Sequence, residues 1–379
     1  MNNNLNNIEI SGIRKFYNKV KDVNGAISLT LGQPDFKIPN KIKEELIKAI
    51  DEDRTVYTPN AGIDELRDEI SKYLNRRNIN YSKDEVCVTV GGSEALYSVI
   101  SALINPKDKV MIPSPAYPAY ENIVNIIGGE VINYGLKEDF SLDIESIKNI
   151  LKSTDIKVLV LSFPTNPTGA ILSKRDREDL FDLLKDRDIK IITDEIYEAL
   201  CFDKYYSLCQ KEEILNKVIY ISGFSKMFSM TGLRIGYFCC KNPLYKEILK
   251  IHQYNVSCAP SIIQYAVCEG LKFCEDDIEN MKKEFIKRKD YVVKRLNDMG
   301  LKTGMSKGAF YVFPNIKKFK LSSEEFCTRL LYEGKVACVP GSAFGEKGEG
   351  FMRISYCYGI EELSEALDRL EKWIKENFK

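Results

Sequence analysis

Lys226 and Arg234 form the first pair of residues whose types and spacing could do chemistry. Lys226 lies between small and apolar neighbours within residues 222–236, and Arg234 follows it eight residues later. A lysine that attacks a carbonyl group must lose a proton near neutral pH, and burial beside another cation favours that loss. A single lysine is more often exposed on the surface, so this interpretation needs support from other residues.

Three polar residues follow apolar segments that are typical of buried strands. Asn166 comes after residues 158–162. Asp194 directly follows residues 189–193, and Tyr197 is three residues further on. In open α/β sheets, ligands bind beyond the carboxyl ends of the strands. A carboxylate that keeps a pyridine nitrogen protonated makes the ring an electron acceptor, as pyridoxal phosphate requires. Alternatively, Asn166 begins a type I turn and Asp194 caps the next segment.

An anion site is predicted at Gly91 and Gly92, which join an apolar segment to a helical one. Unpaired N–H groups and the positive end of the helix dipole would face an anion there. The same glycines could form a tight turn with Ser93 as the helix N-cap. Arg234 offers a planar, permanently charged guanidinium for a phosphate, and Ser225 can add a hydroxyl donor.

Taken in chain order, these motifs resemble the class I and II aminotransferases, the aspartate-aminotransferase-like branch of the fold-type I pyridoxal-phosphate enzymes. The resemblance extends from about residue 10 onward. It implies an α/β fold with a mainly parallel central sheet covered by helices, and a smaller α+β domain. It also implies three catalytic residues: Lys226 as the Schiff-base lysine, Asp194 as the partner of the ring nitrogen, and Tyr197 at the ring hydroxyl.

The resemblance further implies a full set of cofactor and substrate contacts. For pyridoxal phosphate, the implied residues besides those three are Gly92, Ser93, Glu94, Ser225 and Arg234 at the phosphate, Asn166 at the ring hydroxyl, Tyr117 stacked on the ring, and Tyr57 donated across a homodimer interface. For the substrate, they are Arg353 at the α-carboxylate, Asn166, and Gly32 in the loop opposite. Gly223 departs from the pattern, because many members have serine there. A phosphate hydroxyl is then missing, with Ser222 or Ser225 as substitutes.

The pattern of apolar and amphipathic segments predicts the elements that must position these groups. From residue 85 to about 240, apolar segments alternate with helical ones, as in a mainly parallel sheet covered by helices. We expect strands at 86–90, 109–112, 158–162, 189–193, 218–221 and 235–239, and in a smaller domain at 310–313, 336–339 and 351–356. The predicted units are an N-terminal segment 1–45 that joins the small domain, a large cofactor-binding domain 46–283, and a small domain 284–379.

Composition and charge exclude several classes of function. The 379 residues carry 55 basic and 55 acidic side chains, so no excess charge indicates nucleic acid or a membrane as a partner. Eleven cysteines without a Cys-x-x-Cys pair, and no signal-peptide pattern, predict a cytoplasmic protein. The single histidine, His252, argues against Ser-His-Asp hydrolysis and histidine-rich zinc sites, and we expect it to be structural. No metal site is expected.

The sequence therefore predicts a transaminase that moves an amino group between an L-amino acid and a 2-oxo acid, with 2-oxoglutarate and glutamate as one pair. Residues 9–16, 27–36 and 252–265 most resemble N-acetyl-diaminopimelate aminotransferases, while aspartate and aromatic amino acids stay open as substrates. Ile13, Phe16 and Tyr17 either line the side-chain pocket or simply form an amphipathic helix. A cystathionine-type β-lyase is the alternative. A pyridoxal-binding transcription regulator is a remote alternative. Such a protein needs a DNA-binding module, and neither the balanced charge nor the short N-terminal segment predicts one.

Overall fold

The fold is described by a computed structural model that covers residues 3–8 and 11–378. Its strands, numbered in chain order, are β1 Ile27–Ser28, β2 Val86–Thr89, β3 Lys109–Ser114, β4 Glu130–Gly135, β5 Val158–Ser162, β6 Lys190–Asp194, β7 Val218–Gly223, β8 Gly236–Cys239, β9 Tyr311–Val312, β10 Val336–Ala337, β11 Val339–Pro340 and β12 Met352–Ser355. Its α-helices are α1 Gly12–Val20, α2 Asn40–Asp51, α3 Asp64–Asn75, α4 Gly91–Leu103, α5 Ala119–Ile127, α6 Ile144–Ser153, α7 Lys174–Leu184, α8 Phe224–Met227, α9 Leu244–Val256, α10 Ser261–Phe273, α11 Glu275–Asp298, α12 Ser323–Gly334 and α13 Ile360–Asn377.

A seven-stranded sheet forms the centre of the larger part of the molecule. Its strand order is β2-β8-β7-β6-β5-β3-β4. Strand β8 runs antiparallel to both of its neighbours, and the other pairings are parallel. The inner strands consist mostly of Val, Ile and Leu because helices cover both faces and leave no wet side. The predicted mainly parallel α/β sheet is confirmed.

The register of the central strands brings their carboxyl ends to one edge. Ser162 of β5 lies beside Asp194 of β6, which in turn lies beside Ile221 of β7. Loops that leave this edge carry the polar residues of the motifs described above. The short helix α8 follows β7 directly and carries Lys226. Backbone pairing thus gathers residues that are far apart in the sequence.

A second, smaller body is built from both ends of the chain. Strands β11, β12 and β9 form an antiparallel sheet, and β1 pairs in parallel with β10 through Ile27 and Val336. Phe16 and Leu29 share one hydrophobic cluster with Phe285 and Trp373. The early chain therefore packs with the late chain. The boundaries at 45 and 283 remain predictions.

Several elements differ from the sequence-based expectation, among them the two-residue strand β1, which was not predicted. Strand β4 was not predicted, because this edge strand is only partly buried and contains Glu130 and Asn133 among its apolar residues. The predicted strand 336–339 is two strands, since β10 pairs with β1 whereas β11 pairs with β12. Helix α4 begins at Gly91 rather than Ser93, with Val90 as its N-cap. Within the described residues, no helix is both long enough and apolar enough to cross a membrane.

Candidate active site

A cavity of about 230 Å³ lies at the carboxyl edge of the sheet, between the two bodies. The large sheet and its loops supply most of its wall, and residues from α1, the loop after β1, β9 and β12 close it. Its lining comprises Ile13, Gly32, Gly92, Ser93, Leu96, Tyr117, Tyr120, Ser162, Asn166, Asp194, Ile196, Tyr197, Ser225, Lys226, Arg234, Tyr311 and Arg353. The structure thus brings together nearly every site residue that the sequence singled out.

Lys226 projects its amine into this cavity from the short helix α8. Its Nζ donates a hydrogen bond to the carbonyl oxygen of Gly32 at 2.6 Å. Burial, with a smaller contribution from the nearby guanidinium groups of Arg234 and Arg353, lowers the pKa of Lys226 to about 8. A substantial fraction of the amine is therefore neutral and nucleophilic near pH 8, as a carbonyl-attacking lysine requires.

Asp194 is a buried carboxylate at the end of β6. Its Oδ2 accepts a hydrogen bond from the Tyr120 hydroxyl at 2.7 Å, and its Oδ1 accepts one from the backbone N–H of Ile196 at 3.2 Å. Burial raises the pKa of Asp194, while these donors oppose the rise. No cationic side chain of the described residues compensates its charge. A protonated ring nitrogen would supply the missing partner.

Two tyrosines meet on the wall formed by the smaller body. The hydroxyls of Tyr197 and Tyr311 lie 3.0 Å apart, and the rings pack edge to face. Burial raises the pKa of Tyr197, so its phenol stays protonated and remains a hydrogen-bond donor. Tyr117 lies on another wall, where its ring packs edge to face against Tyr120 with centroids 5.8 Å apart.

The anion end of the cavity combines the start of α4 with Ser225 and Arg234. Gly92 and Ser93 line it from the first turn of α4, where backbone N–H groups have no helical partner. Arg234 is exposed and adopts a left-handed φ of 52°. A Cβ built on Gly91 would come within 2.7 Å of the Arg234 guanidinium, so only glycine lets the two approach.

The packing also explains why Gly223 stands where many relatives of this type carry serine. A Cβ at this position would lie 2.9 Å from the Cα of Gly236 and 3.1 Å from the carbonyl oxygen of Ile235. Ser222 cannot replace the missing hydroxyl, because it is buried and donates to the carbonyl oxygen of Glu195 at 3.2 Å. Of the two suggested substitutes, only Ser225 lines the cavity.

Arg353 holds a buried guanidinium at another wall of the cavity. Its Nη1 donates to Asn166 Oδ1 at 2.9 Å, and its Nη2 donates to the carbonyl oxygen of Thr30 at 2.5 Å. The guanidinium lies over the rings of Tyr311 and Phe344, 4.4 and 5.0 Å from their centroids. Among the described residues, its buried Nε has no hydrogen-bond partner. A carboxylate from a ligand would satisfy this donor.

Two predicted cofactor residues do not line the cavity. The Glu94 side chain turns into the protein, where it accepts hydrogen bonds from Ser98 and from the backbone of Val90. A carboxylate in a phosphate site would repel the anion, so only the backbone N–H of Glu94 could serve there, and the assignment of this residue to the cup stays a prediction. Tyr57 is 88% exposed and does not line the cavity of its own chain.

The α1 residues proposed for a side-chain pocket separate into three environments. Ile13 lines the cavity, Phe16 lines a neighbouring one, and Tyr17 lines neither. Conversely, sequence reasoning did not identify Tyr311, Tyr120 or several apolar neighbours. Tyr120 could have been found, because it closes the same motif, residues 113–120, that contains Tyr117, and it lies in the first turn of α5, which begins two residues after Tyr117.

The cavity fits pyridoxal phosphate in three independent respects. The space beside Gly92 is open, since a Cβ at this position would meet no atom closer than 3.7 Å. The backbone N–H groups at the start of α4 can therefore bind a phosphate there. Asp194 can hold a protonated ring nitrogen, and Lys226 can react with the aldehyde. Arg353 retains a donor for a carboxylate substrate.

Comparison with known proteins gives the same result. Residues 24–370 match the model of the family described as aminotransferase class I and II. The chain is 42% identical to a probable N-acetyl-LL-diaminopimelate aminotransferase of Bacillus subtilis, over 99% of this chain and 95% of that protein. It is 39% identical to an aspartate aminotransferase of Pyrococcus abyssi, over 99% and 98% of the two chains.

A solved structure extends the agreement to the fold. The crystal structure of the aromatic aminotransferase from Pyrococcus horikoshii superposes with a TM-score of 0.90, at 37% sequence identity, and covers 95% of this chain and 99% of that one. Fold, cavity chemistry and sequence similarity lead to one conclusion. The chain belongs to the class I and II aminotransferases, enzymes that use pyridoxal phosphate to transfer amino groups between amino acids and 2-oxo acids.

Proposed function

We propose that Lys226 is the catalytic amine of this aminotransferase and that Arg353 binds the substrate α-carboxylate. The observation that carries the proposal is the position of a partly buried lysine with a pKa of about 8 in the same cavity as Asp194 and the buried side chain of Arg353. When bound, pyridoxal phosphate supplies an electron-accepting ring that stabilises the substrate carbanion. Asn166 fixes the Arg353 guanidinium and lies where it can contact the ring hydroxyl beside Tyr197.

The chain's own groups then perform binding, orientation and proton transfer. Arg353 holds the carboxylate so that the Cα–H bond faces Lys226, which is a positioning contribution. With the cofactor bound, the Lys226 amine would accept the Cα proton as general base and would then, as general acid, donate it to C4′, the aldehyde carbon of the cofactor. Asp194 keeps a proton on the ring nitrogen, and Gly92, Ser93, Ser225 and Arg234 hold the phosphate.

For the substrate, we propose N-acetyl-LL-diaminopimelate with 2-oxoglutarate as the acceptor and glutamate as the product. The support is the resemblance of residues 9–16, 27–36 and 252–265, together with the 42% identity to the probable N-acetyl-LL-diaminopimelate aminotransferase of Bacillus subtilis. Aspartate is the second candidate, supported by the name of the Pyrococcus abyssi relative. A panel of amino donors with 2-oxoglutarate, followed through glutamate formation, tests this. A larger kcat/KM for aspartate than for N-acetyl-LL-diaminopimelate would contradict the first assignment.

We further propose a homodimer in which Tyr57 reaches the partner's phosphate site. Tyr57 and its neighbour Val56 are 88% and 74% exposed, which is unusual for large apolar side chains unless another chain covers them. Mixing Lys226→Ala and Tyr57→Ala chains tests the arrangement. Donation across the interface leaves one intact site in each mixed dimer, so activity should exceed that of both parents. If Tyr57 acts within its own chain, mixing restores nothing.

The remaining proposals concern organisation and location. We propose the division into 1–45, 46–283 and 284–379, supported by the separate hydrophobic clusters of the two bodies. A cytoplasmic location is supported by eleven cysteines that are all unpaired, ten of them buried. Limited proteolysis with mass spectrometry would test the boundaries, and fractionation of cells would test the location.

A further inference from the structure

A buried polar link lies outside the cavity, between helix α4 and the loop that carries Tyr57. Its centre is His252 on α9, which is completely buried. Its Nδ1 lies 3.2 Å from both carboxylate oxygens of Glu94 on α4. Its Nε2 lies 2.9 Å from the backbone carbonyl oxygen of Asn60. One imidazole ring thus connects two separate elements.

The hydrogen bonds of this link anchor it at both ends. A carbonyl oxygen only accepts, so Nε2 donates to Asn60. The Glu94 carboxyl group accepts from the Ser98 hydroxyl at 2.6 Å and from the Val90 backbone N–H at 3.2 Å, besides its contact with Nδ1 of His252. The imidazole ring therefore joins Glu94, which is fixed within α4, to the backbone at Asn60.

The Glu94 end of the link is attached to the proposed phosphate site. Gly92 and Ser93, which line the cavity, directly precede Glu94 in α4. The carboxylate ties the N-cap residue Val90 to the second turn at Ser98. The contact of Glu94 with His252 therefore helps to fix the position and direction of the backbone N–H groups that face the cavity.

The Asn60 end is attached to the loop that carries Tyr57. Asn60 also donates from Nδ2 to the carbonyl oxygen of Ser257, just after α9. Gln264 on α10 holds the same loop, since it donates to the Thr58 hydroxyl and accepts from the backbone N–H of Ile63, each at 2.9 Å. The base of the loop is thus anchored to α9 and α10.

We propose that His252 is a positioning residue for the cofactor, whose ring ties the phosphate-side start of α4 to the Tyr57 loop. The coupling to Tyr57 rests on the proposed function, in which Tyr57 enters the partner's site. In the dimer, His252 of each protomer then links the phosphate cup of its own site with the tyrosine delivered to the other site. The one histidine of the chain acts on cofactor binding without touching the cofactor.

The two contacts of the ring can be observed directly, because the chain contains a single histidine. In the holoenzyme labelled with ¹⁵N-histidine, Nε2 should carry the proton that it donates to Asn60. Glu94→Gln should shift the Nδ1 resonance while Nε2 stays protonated. A wild-type ring without a proton on Nε2 would overturn the link to Asn60, and an Nδ1 resonance unchanged in Glu94→Gln would overturn the link to Glu94.

The positioning role is tested by the dissociation constant of pyridoxal phosphate, measured by equilibrium dialysis of refolding-competent apoenzyme. His252→Gln keeps one donor but loses the ring that reaches both Glu94 and Asn60, and we expect the dissociation constant to rise about tenfold. Lys250→Gln on the same helix pairs only with exposed Glu247 and serves as the matched control, with no change expected. An unchanged dissociation constant in His252→Gln would overturn the proposal.

A double-mutant cycle with Tyr57→Phe tests the link between the two ends. If His252 acts partly through the Tyr57 loop, the effect of His252→Gln should shrink to a few-fold in the Tyr57→Phe background. If His252→Gln has its full effect in the Tyr57→Phe background, the proposed coupling between His252 and the Tyr57 loop is wrong. A Tyr57→Phe variant with unchanged affinity would instead contradict the proposed role of Tyr57. The ¹⁵N spectrum and the single His252→Gln variant would still decide the role of His252 at α4.

Discussion

Two arginines line the same cavity in very different environments. Arg353 is 2% exposed and is held by Asn166, by the Thr30 carbonyl and by aromatic faces. Arg234 is exposed and donates within the protein to the carbonyl oxygen of Thr231 at 3.0 Å. Neither guanidinium forms an ion pair with a carboxylate of the described residues, so each is available to an anion.

The difference indicates that one arginine selects the substrate and the other retains the cofactor. A buried guanidinium makes a strong, directional contact only with a ligand that fits the site and can pair with it. Burial therefore favours discrimination between substrates. An exposed guanidinium is weakened by solvent, so the anion there needs help from backbone N–H groups and Ser225. We therefore expect Arg353 to control the substrate and Arg234 to control the cofactor. The predictions below test this contrast.

Lys226 lies under the influence of both arginines, and its removal should have the largest effect. Lys226→Ala eliminates the amine that attacks the aldehyde and transfers the proton, so kcat should fall by at least about 10⁴-fold. The measurement is turnover with an amino acid and 2-oxoglutarate, with the visible spectrum of bound pyridoxal phosphate as a second readout. Unchanged turnover would falsify the assignment of Lys226 as the catalytic amine.

Changing the shape of the buried cation should have the next largest effect. Arg353→Lys keeps the charge but loses the planar fork, and we expect kcat/KM for amino acids to fall about 10²-fold to 10³-fold. The affinity for pyridoxal phosphate should change little, because Asp194, Lys226 and the phosphate contacts remain. Steady-state kinetics and a cofactor titration measure the two effects. A larger loss of cofactor affinity than of kcat/KM would reverse the contrast.

The sequence identified the residues that directly follow buried strands, because local pattern and sheet geometry together determine where they lie. Lys226, Asp194 and Asn166 belong to this group, and the aligned carboxyl ends of β5, β6 and β7 bring them to one edge. Tyr311 was missed, since its contact with Tyr197 joins residues 114 positions apart and comes from the smaller body. No pattern in the local sequence predicts this contact.

The direction of the Glu94 side chain has a local geometric cause. Helix α4 begins at Gly91, with Val90 as its N-cap, so Glu94 lies in its first turn, where the side chain accepts from the Val90 N–H and faces His252 on α9. The hydropathy pattern could not set this boundary, because Gly91 and Gly92 have no side chain that reveals a buried or exposed face. The helix start is determined by close backbone packing, since a Cβ on Gly236 would lie 2.7 Å from the backbone of Gly91 and Gly92.

Removal of the exposed cation should affect cofactor retention selectively. Arg234→Ala should weaken binding of pyridoxal phosphate about tenfold, because one charge-assisted contact to the phosphate is lost while the backbone donors remain. With the cofactor saturating, KM for the amino acid should stay close to that of the wild type. Equilibrium dialysis and saturation kinetics separate the two quantities. A higher KM with unchanged cofactor affinity would place Arg234 in the substrate site instead.

The influence of both arginines on Lys226 should be visible in the pH dependence of cofactor attachment. The neutral amine attacks the aldehyde, and burial lowers the pKa of Lys226 to about 8. The attachment rate of the apoenzyme should therefore fall about tenfold per pH unit below 8 and level off above it. Removing the Arg353 charge with Arg353→Met should move the profile to higher pH, since a nearby cation is lost. Stopped-flow absorbance measures the rate, and a profile that levels off only near pH 10 would contradict the burial argument.

The smallest effect concerns the hydroxyl that assists the exposed arginine. Ser225 lines the cavity, whereas the Ser222 hydroxyl donates to the Glu195 carbonyl oxygen. Ser225→Ala should therefore weaken pyridoxal phosphate binding a few-fold, the loss of one hydrogen bond to a phosphate oxygen. Ser222→Ala is the matched control, and it should affect thermal stability rather than cofactor affinity. Fluorescence titration of both variants decides between them. If Ser222→Ala weakens cofactor binding more than Ser225→Ala, then the hydroxyl that is missing at Gly223 is replaced by Ser222 of β7 and not by Ser225 of α8.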